Sequence, residues 1–344
     1  MMRIALLSIG ILVLSCMSTQ TVETTADIFP EDPTVSTLPE GLQARMPQKA
    51  LADALTPFTS IAKVKSLLDY MASDELQGRD TGSLGIAKAA DYIEATFRAN
   101  GIAPYYPGFR DTLTNVNTTA YNMVGWVPGK HPQLQKEYLI IGAHYDHIGI
   151  QKSVQGDSIA NGANDNASGS VAVLELARYF GTIKNNERSL IFVLFSGEEK
   201  GLLGSKNLAK RMKAEGLNLY AMLNFEMIGV PMERKYDLYL TGYDRSNMAS
   251  VCNAYVGHNL VGYLPTAQKY ALFHRSDNYP FYEAFKVPAH TFCSFDFMNF
   301  EYYHKVGDEV AQMDLSHMTQ IINSMIPIVE GIANASTQEL KMTK

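Results

Sequence analysis

Several signatures that would settle a function early are missing from the sequence. It has no GxSxG turn to present a serine nucleophile, no HExxH helix and no GxxxxGK[ST] phosphate loop. Those gaps argue against a serine-hydrolase elbow, a helical zinc motif and P-loop nucleotide chemistry. Cysteine is scarce, three in 344 residues, so no disulfide framework holds the fold. Past Cys16 only Cys252 and Cys293 remain, which read equally as one disulfide or as two buried thiols. Basic residues (29) are fewer than acidic ones (35), the formal net charge is −6, and no basic run occurs. Nucleic acid is therefore not expected as a partner. After the amino-terminal segment, no stretch is apolar for long enough to span a bilayer.

That amino-terminal segment is itself informative. In MMRIALLSIGILVLSC, Arg3 precedes an almost wholly apolar run from Ile4 to Leu14. The run has the length of a signal peptide core. Val13-Leu14-Ser15-Cys16 reads as a lipobox, with residues 1–16 as a lipoprotein-type signal peptide and Cys16 as the lipidated anchor. The alternative is an ordinary secretory signal. Either predicts export, to the periplasm or cell surface of a bacterium or into the medium. Residues 17–58, rich in Thr, Pro and Glu, read as a flexible tether, and 59–340 as one catalytic domain.

With 46% hydrophobic and 19% charged residues, the chain can build a large core. Continuous apolar runs recur at EYLIIGAH, SLIFVLFS, LYAMLNFE and VPAHTFCSF. Runs of that form fit strands buried on both faces. Helical patterns lie between and around them: Ser60 onward, Leu84 to Asn100, VAVLELARYF, GLLGSKNLAKRMKAEG, Met248 to Val256, and Leu315 to Ala333. The alternation predicts an α/β three-layer sandwich, a mostly parallel central sheet with helices on both faces.

In such sheets ligands bind beyond the carboxyl ends of the strands. Each apolar run is followed there by polar residues: His144-Tyr145-Asp146-His147, then Glu198-Glu199, then Glu226, then Tyr303-His304. Asp165 lies in NGANDNASG, ahead of the next helix. Taken singly, each has an ordinary explanation. The glutamate pair can favour a helix dipole, and the Asp165 segment can be a turn with Asn166 or Ser168 as the cap. Gathered at one edge, they form the imidazole and carboxylate set that a metal site requires. A short aspartate in a tight loop can bridge two metals, and one of two adjacent glutamates can bind metal while its neighbour serves as a general base. Asp146 is placed to orient His144. The remaining histidines, His131, His258, His274, His290 and His317, have no comparable company and read as structural.

HYDH, GANDNASG, SGEEKGLLGS, NFEMIG, SDNYPFYEAFKVPA and YYHKVGDE, in that order and preceded by LQGRDTGSLGIAKAADYIEATFRANG, resemble the co-catalytic zinc exopeptidases. That family, the twenty-eighth of the metallopeptidases, includes bacterial leucyl aminopeptidases and glutamate carboxypeptidase II. The resemblance runs from about Ser60 to Asp314. It implies two zinc ions. His144 and Glu226 would hold one, Glu199 and His304 the other, with Asp165 bridging. It implies Glu198 as general base, Asp146 behind His144, and Tyr303 as a donor to the oxyanion. Where the family usually has aspartate this chain has Glu226, so the zinc it holds is expected to sit differently or bind more weakly. The stretch between Gly101 and His144 is too short for the protease-associated insertion of some relatives, implying a compact single catalytic domain. The expected activity is removal of amino-terminal residues from peptides by a metal-activated water. A glutaminyl cyclase, a zinc carboxypeptidase and a non-catalytic lipoprotein of the same fold are the alternatives. Arg234, Arg245 and Arg275, and the acids Asp244 and Asp277, lie in loops that could read either peptide end. Side-chain preference and oligomeric state are not predicted.

Overall fold

The long strands are apolar throughout because they separate two cores. In the computed structural model, which describes residues 57–343, Tyr138–His144 (β4), Ser189–Phe195 (β7) and Leu219–Phe225 (β8) lie side by side. Leu139, Ile141 and Ala143 of β4 face one core and Ile140 the other. In β7, Leu190, Phe192 and Leu194 alternate in the same way with Ile191, Val193 and Phe195. Side chains on a strand alternate in direction, so a strand with a core on each face must be apolar at every step. The expected signal peptide at 1–16, its Cys16, and the expected tether at 17–58 apart from its final residues lie outside the described residues.

The remaining strands are Ala103–Pro104 (β1), Arg110–Thr112 (β2), Tyr121–Val127 (β3), Ile150–Val154 (β5), Asp157–Ile159 (β6), Leu238–Leu240 (β9), Val261–Gly262 (β10) and Ala289–Cys293 (β11). The main sheet runs β1-β3-β7-β4-β8-β11-β9-β10, with β2 paired to β3, and β5 and β6 make a separate hairpin. Its centre, β7-β4-β8-β11, is parallel, while β3 and β9 flank it antiparallel. The carboxyl ends of four adjacent strands therefore share one edge.

Helices cover both faces, as the sequence predicts. They are Ile61–Met71 (α1), Leu84–Ala99 (α2), Gly169–Ile183 (α3), Leu203–Ala214 (α4), Met248–Val256 (α5), Pro265–Lys269 (α6), Asn278–Phe285 (α7) and Leu315–Asn334 (α8). Residues of α1, α2, α3, α5 and α8 fill the larger core, and those of α4 and α7 the smaller. Sequence-local caps start several of them. Ser60, Ser83 and Asp314 accept the N–H groups of Lys63, Ile86 and His317 at 3.3, 3.2 and 2.9 Å. Among the described residues no helix is long and apolar enough to cross a membrane. Cys252 and Cys293 are both buried and free, which resolves the open choice between disulfide and thiols.

Candidate metal centre

β4 ends on His144, β7 runs out through Ser196-Gly197 to Glu198 and Glu199, and β8 delivers Glu226. All three loops meet the segment that carries Asp165. Hydrogen bonds to residues distant in sequence hold much of that segment. Gly162 starts it at φ +57. The Asp308 carboxylate accepts the N–H groups of Asn164 at 2.7 Å and Asp165 at 3.0 Å. Asn166 Oδ1 accepts from Gly169 and Met227, both at 3.1 Å, while its Nδ2 donates to the Phe225 carbonyl at 2.9 Å. A Cβ at Gly169 would lie 2.5 Å from that same carbonyl oxygen, so the close approach requires glycine. The Asp165–Asn166 peptide is cis.

The Asp165 carboxylate divides between two neighbourhoods. Its Oδ1 is 3.4 Å from His144 Nε2, and its Oδ2 is 3.2 Å from His304 Nε2. His304 Nε2 is also 3.1 Å from Glu199 Oε2. Donor atoms of His144, Asp165 and Glu226 all lie within 4.8 Å of one another. The structure thus brings together His144, Asp165, Glu199, Glu226 and His304. Tyr303 stacks on the His304 ring, centroids 4.0 Å apart, and is partly exposed.

Glu198 and Glu199 face different surroundings although they are adjacent. Burial and Asp165 push the Glu199 carboxyl up, but His147 and His304 outweigh them and hold it below its ordinary value. Glu198 goes the other way. Burial raises it, His144 opposes, and the Glu226, Asp277 and Glu199 carboxylates leave it well above the usual range. Burial likewise pushes Glu226 and Asp277 up to about 7. Asp165 is held low because its histidine neighbours outweigh its burial.

Asp146 orients His144 in a way the sequence does not reveal. Its backbone carbonyl oxygen stands 3.1 Å from His144 Nδ1, whereas its carboxylate is 3.7 Å away, beyond hydrogen-bond length. The carboxylate instead accepts the N–H groups of Glu198 at 3.2 Å and Glu199 at 3.3 Å and the Thr81 hydroxyl at 3.1 Å. Asp146 therefore fixes the glutamate pair as well as the imidazole.

Three residues of this centre, His147, Arg79 and Asp308, have no role in the sequence reading. His147 closes HYDH and puts Nδ1 3.0 Å from Glu199 Oε1. The second imidazole of that motif is the available signal. Arg79 is fully buried and donates to the carbonyls of Tyr145 at 2.8 Å, Asn161 at 2.6 Å and Gly162 at 2.9 Å, and also to that of Met71. It ties the His144 loop to the Asp165 loop and sets a cation beneath the acids. Burial pulls its pKa down to about 10 against the opposing pull of Asp308, Asp146 and Asp165. Asp308 is the third, and Asp277, expected only as one of the loop acids that could read a peptide end, lies close enough to raise Glu198 and Glu226. Of the loop arginines, Arg234 pairs with Asp296 at 3.4 Å, and Arg245 lies over the Phe273 ring at 4.5 Å.

This donor set fits zinc. His144 Nε2 and Glu226 Oε2 are buried without a hydrogen-bond partner, which is costly for groups of that kind unless something else satisfies them. Imidazole nitrogen and carboxylate oxygen are zinc's usual ligands beside thiolate.

The family model described as Peptidase family M28 matches residues 122–329, more than half of the chain. A protein of Arthroderma benhamiae named "Probable leucine aminopeptidase" is 29% identical over 216 residues, 58% of this chain and 52% of its own length. A "Probable zinc metalloprotease" of Pyrenophora tritici-repentis is 30% identical over 204 residues, 54% and 45% of the two chains. The chain spans about half the length of these sequence relatives. Among solved structures, the LapA aminopeptidase of Legionella pneumophila matches with a TM-score of 0.63 and 19% identity, over 83% of this chain and 74% of that one. A glutaminyl cyclase of Porphyromonas gingivalis matches at 0.60 and 17%, over 80% and 99%. At such identities the solved structures establish the shared fold.

Proposed function

The chain belongs to peptidase family M28, and from that premise we propose that it is a zinc aminopeptidase taking single residues from the amino end of peptides. His144, Asp165 and Glu226 would hold one zinc, and Asp165, Glu199 and His304 the other. The observation that carries this is the division of Asp165, one oxygen toward His144 and the other toward His304. Bound there, the metal pair would polarise a peptide carbonyl and acidify water.

The rest is done by side chains of the protein. Glu198 stands among the donors and is not one of the proposed ligands. With its carboxyl raised by burial and by neighbouring acids, it takes the proton of the attacking water. As the carbon–nitrogen bond breaks, it returns that proton to the leaving amine. The Tyr303 hydroxyl donates to the carbonyl oxygen as charge builds on it. Asp146 keeps Glu198 in register through its hydrogen bond to the Glu198 N–H.

The choice of the amino end rests on the names of the sequence relatives. The test is a panel of free and amino-blocked aminoacyl anilides and dipeptides, run with chelator and with zinc restored. Turnover of free-amine substrates alone, lost to chelator and regained with zinc, is the expected result. Turnover of the blocked set overturns it. A glutaminyl cyclase shares the fold, so an amino-terminal glutamine substrate belongs in the panel, and pyroglutamate as the product replaces hydrolysis by cyclisation. Export as a lipoprotein anchored through Cys16 completes the proposal. Cys16→Ser is expected to move the protein from the membrane fraction to a soluble one after fractionation of the producing bacterium.

A further inference from the structure

His147 is buried, and its Nε2 has no hydrogen-bond partner. Its Nδ1 is 3.0 Å from Glu199 Oε1 and 3.8 Å from Asp165 Oδ2. Taking the chain as the metallopeptidase proposed above, we propose that His147 is a fourth protein ligand, through Nδ1, of the position bounded by Asp165, Glu199 and His304. That position is then the first of the two to fill and the last to empty.

Donor atoms of His147, Asp165 and Glu199 all lie within 4.8 Å of one another, close enough to share one ion. Ligand atoms about 2.0–2.1 Å from a zinc at tetrahedral angles stand about 3.3 Å apart. His147 Nδ1 is 3.0 Å from Glu199 Oε1 and 3.8 Å from Asp165 Oδ2, and His304 Nε2 is 3.1 Å from Glu199 Oε2 and 3.2 Å from Asp165 Oδ2, so the rings meet the same Asp165 oxygen and opposite oxygens of Glu199. A histidine placed only to orient Glu199 would aim one N–H along one oxygen. This ring faces oxygens of two carboxylates at once, across from a second histidine. The two rings stand nearly edge to face, at 67° with centroids 5.8 Å apart.

The fold makes room for this ring. The His147 N–H reaches the Arg79 carbonyl at 3.3 Å. The ring packs against Gly162, where a Cβ would meet its Cγ and Cδ2 at 2.5 Å and the Asp165 carbonyl oxygen at 2.3 Å. A side chain at 162 would crowd both the imidazole and the Asp165 backbone. The consequence is an asymmetric pair, with four protein donors at one position. The other has three, His144, Asp165 and Glu226, which leaves its remaining coordination to water and substrate.

The experiment uses the full-length protein stripped of metal and given one equivalent of cobalt(II). Proton NMR then counts the histidine rings shifted by the paramagnetic ion. Two shifted rings are expected in the wild type, and one in both His147→Gln and His147→Ala. Chelator competition should show the first equivalent held more than about 100-fold more weakly by the variants, beyond the ~10–100-fold loss typical of an outer hydrogen-bonding partner. One shifted ring in the wild type overturns the proposal, whatever the variants do. So does an unchanged first-equivalent affinity in a folded variant. If the wild type hydrolyses peptides with its metals but shows one ring, this inference alone fails. If it takes up no metal, the peptidase reading fails with it.

Discussion

Glu198 and Glu199 show how far neighbours in sequence can differ in use. Gly197, at φ +76, turns the chain just before them, and the Asp146 carboxylate catches both of their N–H groups. One side chain then meets His147 and His304, and the other meets acids. Glu198→Gln keeps the shape and removes the proton acceptor. It is expected to lower kcat by about 10²–10⁴-fold, with zinc content unchanged by metal analysis. Near wild-type turnover at full zinc would remove Glu198 from the role of base. Asp165→Asn tests the bridge instead. It is expected to lose both metals on dialysis while keeping the circular dichroism spectrum of the metal-free wild type. Retained stoichiometric zinc would reduce this segment to a turn that starts a helix. The type and order of these residues are legible because the whole set gathers at the strand ends, although each alone has an ordinary use. His147 is not legible in the same way, because nothing in the string HYDH says which of its two imidazoles turns inward. Arg79 and Asp308 act on backbone carbonyls and N–H groups, which a sequence does not display.

Among the elements, the long buried strands and the longer helices are readable and the short strands are not. β4, β7, β8 and β11 announce themselves as unbroken apolar runs, and α5 spans Met248–Val256 as its pattern predicts. The pattern for α2 extends to Asn100, whereas the helix ends at Ala99 with Asn100 as its cap and Gly101 beyond it at φ +72. Hydrophobic patterning had little to say of β1, β2, β9 and β10, each two or three residues long. The β5 strand of the β5–β6 hairpin is exposed at every position, so no alternation marks it. The element that matters most to the site is the 162–169 loop, and its stability depends on a residue far along the chain. Among the described residues, the Asp308 carboxylate is the partner of both the Asn164 and the Asp165 N–H groups. Asp308→Ala would strand two buried donors, each costing about 1–3 kcal/mol. Denaturant unfolding of the metal-free variant should show a loss of a few kcal/mol. Zinc titration should show binding weakened ~10–100-fold, as for other supports of metal ligands. A variant as stable as the wild type would mean that the loop finds other acceptors.

Over the whole molecule, the metal centre works against the fold that builds it. Loops from three parallel strands and the 303–308 turn converge on Asp165, and in the metal-free protein they crowd acids together. Protons relieve that crowding. Burial raises Glu226 from its ordinary 4.5 to about 7. Burial lowers His304, but Asp165 and Glu199 outweigh it and raise it from 6.5 to about 10. Both groups hold more protons folded than unfolded, so stability falls as pH rises wherever that difference exists. Their contribution is fully present below the unfolded values. It is lost for Glu226 as pH passes about 7 and for His304 as it approaches about 10. Zinc requires the same atoms without their protons, so its affinity should climb over the same interval. A ligand at about 100 times its Kd adds ~2.7 kcal/mol to stability. In a domain of this size that is worth roughly 2 °C of Tm per kcal/mol. Thermal unfolding at one fixed free zinc concentration should therefore show a rise of about 5 °C at pH 8 once that concentration is ~100-fold above Kd. The rise at pH 6 should be clearly smaller, because protons then compete for Glu226 and His304. Equal shifts at the two pH values would mean that zinc displaces no protons from these groups, and that the acids are not held as the fold places them.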